Sequence, residues 1–316
     1  MKSDKSIAFF TEMNLEGKTP RMHQNMRTEF AWFTALNANH HSIHRLEVIE
    51  EKYDLGILII PKNVTPFIHM DIPFLMRKVC KKIAFMQEGP SWYFQSLPLS
   101  ESIWFFNTMT DMDFALAHND VDLKYYEGLL GKQTFINPTL MIEDIIKDLP
   151  TEDRKGVIIG GNLVRWYGGF NSLIVASEFE DEIWAPRMGR MEKEEEAISG
   201  LNHLPYTNWY EWIRALNNFK YAVHLNPNSI GGTFSLNCAY LGIPCIGNEY
   251  SNTQRICFPE LSTHPEDLKK AKELAIKLKT DKDFYNDVAL KSKQLYYEYF
   301  SEKTFLETWE KILQQI

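Results

Sequence analysis

The chain has 316 residues, of which 44% are hydrophobic and 24% charged, a globular composition with enough length for two hydrophobic cores. Its 34 Lys and Arg stand against 42 Asp and Glu, which gives a net charge of −8. Up to position 150 the counts are 15 basic and 19 acidic residues, so both halves carry −4. This even acidity excludes a broad basic surface for a polyanion, and any anion site must be a local cluster.

The cysteines and apolar runs indicate the cellular setting. The four cysteines lie far apart and form no CxxC pair, which disfavours a disulfide framework or a structural zinc site. The apolar run at residues 7–10 is too short for a signal peptide, and no run approaches the roughly 18 residues that span a bilayer. We therefore expect a cytoplasmic protein with thiols in its core and no membrane span.

Short apolar runs alternate with helical stretches in the first half of the chain. They predict strands over residues 6–10, 55–61, 82–87, 103–107, 114–118 and 134–137, and helices over 26–37 and 72–81. A polar stretch at residues 147–155 then interrupts the pattern and is typical of a linker. The first half is therefore predicted to be one α/β domain.

The second half repeats this alternation. It predicts strands over 156–160, 181–185, 221–225 and 244–247, and helices over 169–176, 209–216, 232–241, 265–278, 281–300 and 304–316. The fold class is therefore α/β, with two Rossmann-like domains facing across a cleft. We expect domains at 1–150 and 151–300, with a C-terminal helix at 301–316 that packs back on the first domain.

Glycines follow two of the predicted strands in the second domain. Gly160, Gly161 and Asn162 close the first strand and precede Arg165, while Ser229, Gly231 and Gly232 precede a helix that Thr233 could cap. Glycines and exposed helix amides allow phosphate to approach the backbone, and Arg165 could add a charged fork. The alternative is a pair of ordinary tight turns with a solvated arginine. Neither loop matches a dinucleotide fingerprint or a P-loop.

The same residues resemble the donor site of GT-B glycosyltransferases. Residues 232–247 resemble the donor-site helix and following strand, and residues 160–165 resemble the first phosphate loop. Residues 203–206 resemble the segment that walls the nucleotide base, which implies this role for Leu204 and Tyr206. The resemblance implies a nucleotide-sugar co-substrate, a UDP-sugar before others, and no cofactor or metal.

Two positions depart from the pattern of retaining GT-B enzymes. Ser229 and Asn237 stand where many members carry two glutamates. This departure argues against simple retaining transfer and favours a divergent member of the fold. We keep both residues as candidate contacts of the donor.

A carboxylate ends the strand predicted at residues 82–87. Glu88 stands there, with the aromatic Trp92 shortly behind it. A partly buried carboxylate at the carboxyl end of a strand can take a proton from an acceptor hydroxyl. The segment resembles the phage-type DNA β-glucosyltransferases, inverting GT-B enzymes with an acidic base at this place, which implies that Glu88 is the base. A solvated turn glutamate is the alternative.

The loop after the first strand is locally basic. Lys18, Arg21, His23 and Arg27 fall within a stretch that has no carboxylate. With Trp92 they could hold an acceptor, for which we favour a hydroxymethylated pyrimidine in DNA. A mobile surface loop is the alternative interpretation of the stretch. A cell-surface glycan or small metabolite, a 2-epimerase reaction, and a non-catalytic binding protein for nucleotide sugars or nucleic acid remain as other functions.

Two patterns imitate metal sites. Asp111 and Asp113 form a D-x-D that precedes a strand rather than following one. The cluster of His40, His41 and His44 lacks a firm fourth ligand and is predicted to be a polar loop rather than a zinc site. We therefore expect no metal.

Overall fold

The computed structural model describes residues 5–26, 28–61, 63–87, 89, 91, 96–150, 153–164, 167–187 and 193–316. The chain divides into two compact units. Unit 1 comprises Met1–His23, Glu29–Pro138 and Phe305–Ile316, and unit 2 comprises Gln24–Thr28 and Thr139–Thr304. Among the described residues, no helix has the length and apolarity needed to cross a membrane.

The division falls after Pro138 rather than at the expected position 150. The reason is that the segment following Pro138 packs into unit 2. The Tyr296 hydroxyl donates to Glu143 at 2.8 Å, and the Tyr240 hydroxyl donates to the Ile146 carbonyl at 3.4 Å. The polar stretch that the sequence marks as a linker therefore lies inside unit 2.

Unit 1 is built on a six-stranded parallel sheet. Its strands are β1 (Ile7–Thr11), β2 (Asn39–Ser42), β3 (Tyr53–Ile60), β4 (Cys80–Gln87), β5 (Phe114–Ala117) and β6 (Thr134–Ile136), in the order β2-β1-β3-β4-β5-β6. Its first helices are α1 (Thr28–Ala35, whose first residue belongs to unit 2), α2 (Ile72–Val79), α3 (Leu99–Thr110) and α4 (Asp120–Leu130). The central strands are buried along nearly their whole length, which explains their continuous apolar sequences.

One strand prediction was wrong. Residues 103–107 lie inside α3, where Trp104 and Phe105 are buried and Ile103 and Phe106 are exposed. A buried pair flanked by exposed residues is the pattern of a helix face. The sequence shows only a short apolar run, which fits a strand equally well.

The histidine cluster forms regular structure rather than a polar loop, with His40 and His41 in the edge strand β2 and His44 in the 3₁₀ helix Ile43–Val48 that follows. His40 and His41 lie in β2, buried, with the Thr11 hydroxyl 2.7 Å from His40 Nε2 and Glu16 Oε2 2.7 Å from His41 Nδ1. Gly17 pairs with His40 on the outer side of this strand. These long-range contacts, rather than the polar local sequence, stabilise β2.

Stability is expected to fall as the pH drops below neutral, partly through His40. Burial lowers the pKa of His40 to about 4 from its usual 6.5, against the opposing charge of Glu16. Between pH 6.5 and 4 the unfolded chain binds the proton first, so His40 contributes up to about 3 kcal/mol of lost stability there. Urea unfolding from pH 7 to 4.5 should show a smaller loss for His40→Asn, while the exposed His264→Asn should match the wild type. Equal slopes for all three proteins would contradict this assignment.

Unit 2 contains a second six-stranded parallel sheet. Its strands are β7 (Val157–Ile159), β8 (Ile183–Pro186), β9 (Leu201–Leu204), β10 (Tyr221–His224), β11 (Cys245–Asn248) and β12 (Ser262–Thr263), in the order β12-β11-β10-β7-β8-β9. Its helices are α5 (Gly169–Ala176), α6 (Trp209–Leu216), α7 (Thr233–Leu241), α8 (Asn252–Cys257), α9 (Leu268–Thr280) and α10 (Lys282–Tyr299). The strand order reverses between β7 and β10, and such a reversal is where open α/β sheets bind ligands.

Arg154 joins two helix ends at the opposite, amino end of this sheet. Its guanidinium donates to the carbonyls of Asn217, Leu241 and Gly242 at 3.0, 2.8 and 3.2 Å, and to the Asn217 side chain at 2.8 Å. It therefore satisfies the C-terminal carbonyls of α7 and the residue that ends α6.

The chain ends with α11 (Glu302–Gln315), and its residues from Phe305 onward belong to unit 1. Trp309 Nε1 donates to Asn137 Oδ1 at 3.0 Å in the core of that unit. The four cysteines are free and buried, as expected for core thiols.

Candidate functional site

Two glycine-rich loops meet at the carboxyl edge of the unit 2 sheet. The loop after β7 and the loop after β10 are neighbours because these strands pair directly. A Cβ at Gly160 would lie 2.4 Å from His224 Cγ, and one at Gly168 would lie 2.2 Å from the Leu225 carbonyl oxygen. Only glycine allows the loops this approach, and Gly168 also has φ of +63°.

Hydrogen bonds from α8 orient the loop that precedes α7. The carbonyls of Ile230, Gly231 and Gly232 all accept from the first turn of α8, the two backbone pairs at 3.2 and 3.3 Å. In a trans peptide the N–H points opposite to the C=O. The three N–H groups that follow these carbonyls therefore point away from α8.

Gly232 is the N-cap residue of α7. It has φ of +87°, and among the described residues no side chain caps the helix. Thr233 is the first helical residue and not the cap, so the prediction that it caps was wrong. Adjacent amides around a left-handed residue at a helix start form a concave anion site. The Thr28 hydroxyl, also in unit 2, lies 3.3 Å from the Thr233 hydroxyl.

Among the buried polar atoms that have no hydrogen-bond partner within the described part of the chain, three lie at this edge beside the two glycine-rich loops and the start of α8. They are His224 Nε2 at the end of β10, and Asn162 Nδ2 and Ser251 Oγ three residues beyond the ends of β7 and β11. Each residue is less than a tenth exposed. Leaving buried polar atoms unpaired costs free energy, so a polar ligand at this edge would stabilise the site.

His224 is neutral near neutral pH. Burial lowers the pKa of its imidazole to about 4, and its ring packs edge-on against Phe234. A neutral ring can present Nε2 either as a donor or as an acceptor.

Asparagines stabilise the loop after β10. Asn248 Nδ2 donates to the carbonyls of Asn226 and Asn228 at 2.6 and 2.9 Å, and Asn226 Oδ1 accepts from the Asn228 backbone at 2.9 Å. Sequence reasoning missed Asn248 and Ser251. The available signal was their position, since both are polar residues at or just after the end of a strand.

Asn237 is a buried residue within α7 and does not belong to the loop that precedes this helix. In the orientation that satisfies its amide, it donates to the Thr233 carbonyl at 3.3 Å and accepts from Trp212 Nε1 at 3.2 Å. Asn237 therefore connects α7 to α6. Ser229 and Gly231 lie in the loop itself and are partly exposed.

The predicted base-wall residues lie at the same edge of the sheet. Leu204 ends β9, and its carbonyl accepts from the Arg187 backbone at 3.0 Å. Tyr206 follows and is 61% exposed. Gly161 packs against Tyr167, where a Cβ would lie 2.6 Å from that side chain. Arg165 lies outside the described residues.

The predicted acceptor residues are only partly brought together. Lys18 donates to Asn37 at 3.0 Å, beside the amino end of β2. This is the opposite edge of the parallel sheet from the end of β4, so Lys18 does not join the predicted cluster. His23 stacks on Phe30 with ring centroids 5.2 Å apart, and Arg21 is exposed. Glu88, Trp92 and Arg27 lie outside the described residues.

The D-x-D pattern has a structural explanation. Asp113 pairs with Arg77 at 3.1 Å and accepts from the Ile83 backbone at 2.8 Å. These contacts join α2 to β4. Among the described residues, no group of three or more His, Cys, Asp or Glu side chains is arranged to hold a metal ion.

Comparison with known proteins identifies the fold. No protein-family model and no curated protein sequence matches the chain. Among solved structures, HepE of Anabaena in complex with UDP and glucose matches with a TM-score of 0.69 and 10% identity, over 99% of this chain and 100% of that one.

Two further structures share the fold. TarM of S. aureus, in complex with fondaparinux, α-GlcNAc-glycerol and UDP, matches with a TM-score of 0.63 and 10% identity over 85% of this chain. The pneumococcal O-GlcNAc transferase GtfA, in complex with UDP and GlcNAc, matches with 0.59 and 15% over 86%. This chain spans 57% and 59% of their lengths. The architecture is that of GT-B glycosyltransferases, which confirms the predicted fold class of two Rossmann-like domains.

Proposed function

We propose that the chain is a glycosyltransferase that binds a nucleotide-sugar donor, with UDP-sugars foremost, at the carboxyl edge of the unit 2 sheet. The observation that carries the proposal is the set of unpartnered polar atoms on Asn162, His224 and Ser251 beside the amides that begin α7. Three structures that share the fold contain UDP.

The site favours departure of a nucleoside diphosphate. Negative charge on the leaving oxygens increases in the transition state, and preorganised N–H donors aimed at it lower the barrier. The amides from Gly231 to Thr233 and the α7 dipole would supply such donors, and Arg165 would add a fixed positive charge. Under this proposal these groups neutralise the diphosphate without a metal.

Glu88 would act as the base that deprotonates the acceptor hydroxyl. Glu88 itself lies outside the described residues, and three positions further along the chain the Ser91 amide donates to buried Asp122 at 2.9 Å. Asn119 donates to the other oxygen of Asp122 at 2.8 Å and caps α4. In the reaction, the acceptor oxygen bonds to the anomeric carbon, the bond to the diphosphate breaks, and Glu88 takes the proton.

The acceptor proposed is a hydroxymethylated pyrimidine in DNA. Arg21 and Arg27 supply positive charge, and His23 and Trp92 supply rings that could stack on a base. A cell-surface glycan or small metabolite is the other acceptor class.

The experiment is a donor and acceptor panel read by mass spectrometry. The chain is incubated with UDP-, GDP- and ADP-sugars, with and without EDTA, and with hydroxymethylated DNA, glycans or no acceptor. A mass gain of one sugar on an acceptor in EDTA supports metal-independent transfer. Gain only on a glycan or metabolite overturns the DNA assignment, and an altered sugar without acceptor indicates a 2-epimerase. UDP binding without turnover of any donor indicates a binding protein.

Replacing Glu88 tests the base. We expect Glu88→Gln to lower kcat by at least about 100-fold, because general-base catalysis contributes about that much, while UDP affinity stays unchanged. Glu127→Gln on α4 is the matched control and should retain full turnover. Full activity of Glu88→Gln would remove this residue from the mechanism.

A further inference from the structure

Glu195 is a buried carboxylate next to the donor loop. It lies in the 3₁₀ helix Lys193–Ala197 and is only 4% exposed. Its Oε1 accepts from the Leu163 backbone N–H at 3.1 Å. We propose that Glu195 is a positioning residue that fixes the loop after β7 for the donor diphosphate, an inference that rests on the proposed function.

The hydrogen bond fixes one peptide plane of the loop. The Leu163 N–H and the Asn162 carbonyl belong to the same rigid peptide. A Cβ at Gly169 would lie 2.2 Å from that carbonyl oxygen, so the start of α5 packs directly against it. Glu195 holds the N–H side of this peptide and Gly169 bounds its carbonyl side. The orientation of Asn162, whose Nδ2 faces no partner among the described residues, follows from both contacts.

The second carboxylate oxygen reaches the strand that ends at the predicted base wall. Glu195 Oε2 lies 3.5 Å from His203 Nε2, and both side chains are more than nine-tenths buried. His203 directly precedes Leu204 in β9. The two atoms form no hydrogen bond among the described residues, but the carboxylate lies between the loop after β7 and the strand that ends at the predicted base wall.

A purely structural role would not require a carboxylate at the buried position of Glu195. Burying a carboxylate costs free energy that an apolar residue of similar size avoids. Holding a loop in its binding conformation increases ligand affinity, because the ordering cost is met before the ligand binds. Substitution should therefore weaken nucleotide binding more than it weakens folding.

The test is the affinity for UDP, measured by calorimetry at a temperature where every variant is folded, beside the Tm of each variant. Glu195→Ala should bind UDP at least about tenfold more weakly, as expected for loss of one hydrogen bond to a charged group. Glu195→Gln keeps an oxygen that accepts from Leu163 and should stay within about threefold of the wild type. Asp113→Ala, which removes a carboxylate that accepts a backbone N–H in unit 1, should lower Tm but leave UDP affinity unchanged.

The outcomes separate the two proposals. Wild-type affinity in Glu195→Ala overturns the positioning role and leaves the proposed function standing. Equal loss in Asp113→Ala overturns it as well, because the effect would then be global, and equal loss in the Gln and Ala variants overturns the hydrogen-bond argument. If the wild type binds neither UDP nor GDP nor ADP, the proposed function fails and this inference fails with it.

Discussion

Gly232→Ala is expected to weaken UDP binding strongly and to destabilise the fold. A Cβ at this position would lie 2.0 Å from Thr253 Oγ1 and 2.2 Å from Ser251 Oγ, and φ of +87° disfavours any side chain. Relieving the contacts shifts the two hydroxyls or the loop, and the left-handed φ adds strain in the same loop, whose carbonyls are bonded to α8. The amides that begin α7 would then leave their present orientation. We expect a loss of at least about 100-fold in UDP affinity and about 2–4 kcal/mol in the free energy of unfolding.

Gly200→Ala separates backbone strain from loss of the site. Gly200 also lies in unit 2 with φ of +80°, but a Cβ there would meet nothing within 4 Å. Alanine at this position should cost about 1 kcal/mol and leave UDP affinity within about twofold of the wild type. Calorimetry and urea unfolding measure both quantities. Tight UDP binding by Gly232→Ala would remove the α7 amides from the donor site.

Arg154→Met is expected to give the largest loss of stability without loss of binding. The substitution removes four hydrogen bonds at the ends of α6 and α7 and leaves buried carbonyls unpaired. We expect the free energy of unfolding to fall by about 3 kcal/mol, because each unpaired buried acceptor costs about 1 kcal/mol or more. The donor loops lie at the other end of the strands and should keep their UDP affinity.

The neighbouring Lys155→Met serves as the control for removing a charge. Lys155 is exposed, and its backbone N–H, which the substitution keeps, donates to Asn218. Its free energy of unfolding should stay within about 0.5 kcal/mol of the wild type. Equal stability of the Arg154 and Lys155 variants would show that the guanidinium contacts do not stabilise the two helix ends.

Local sequence predicted the elements whose burial is either periodic along one helix face or continuous along a strand. The helices at 169–176 and 209–216 were predicted with the bounds that α5 and α6 have. The strands around β7 and β10 were also predicted, because parallel strands buried on both faces must be apolar throughout. The prediction failed at 103–107, where a short apolar run fits either period, and at β2, whose polar residues are paired by distant groups.

The candidate site was found in part for a similar reason. A Cβ at Gly160 or Gly232 would collide with a neighbouring segment, so glycine is required there, and glycines that directly follow predicted strands can be seen in the sequence. Nothing in the local sequence predicts that Asn237 accepts a hydrogen bond from Trp212. The same holds for Glu195, which lies 32 positions from its partner Leu163.

The sequence by itself determined the α/β class, the two glycine-rich loops and the even negative charge, since these depend on residue type and on spacing along the chain. The tertiary structure decided which polar atoms meet. His224 ends β10, whereas Asn162 and Ser251 lie in the segments that follow β7 and β11, and the reversal of strand order places β7 beside β10. Packing of distant segments sets those distances, and a local pattern of residues carries no record of them.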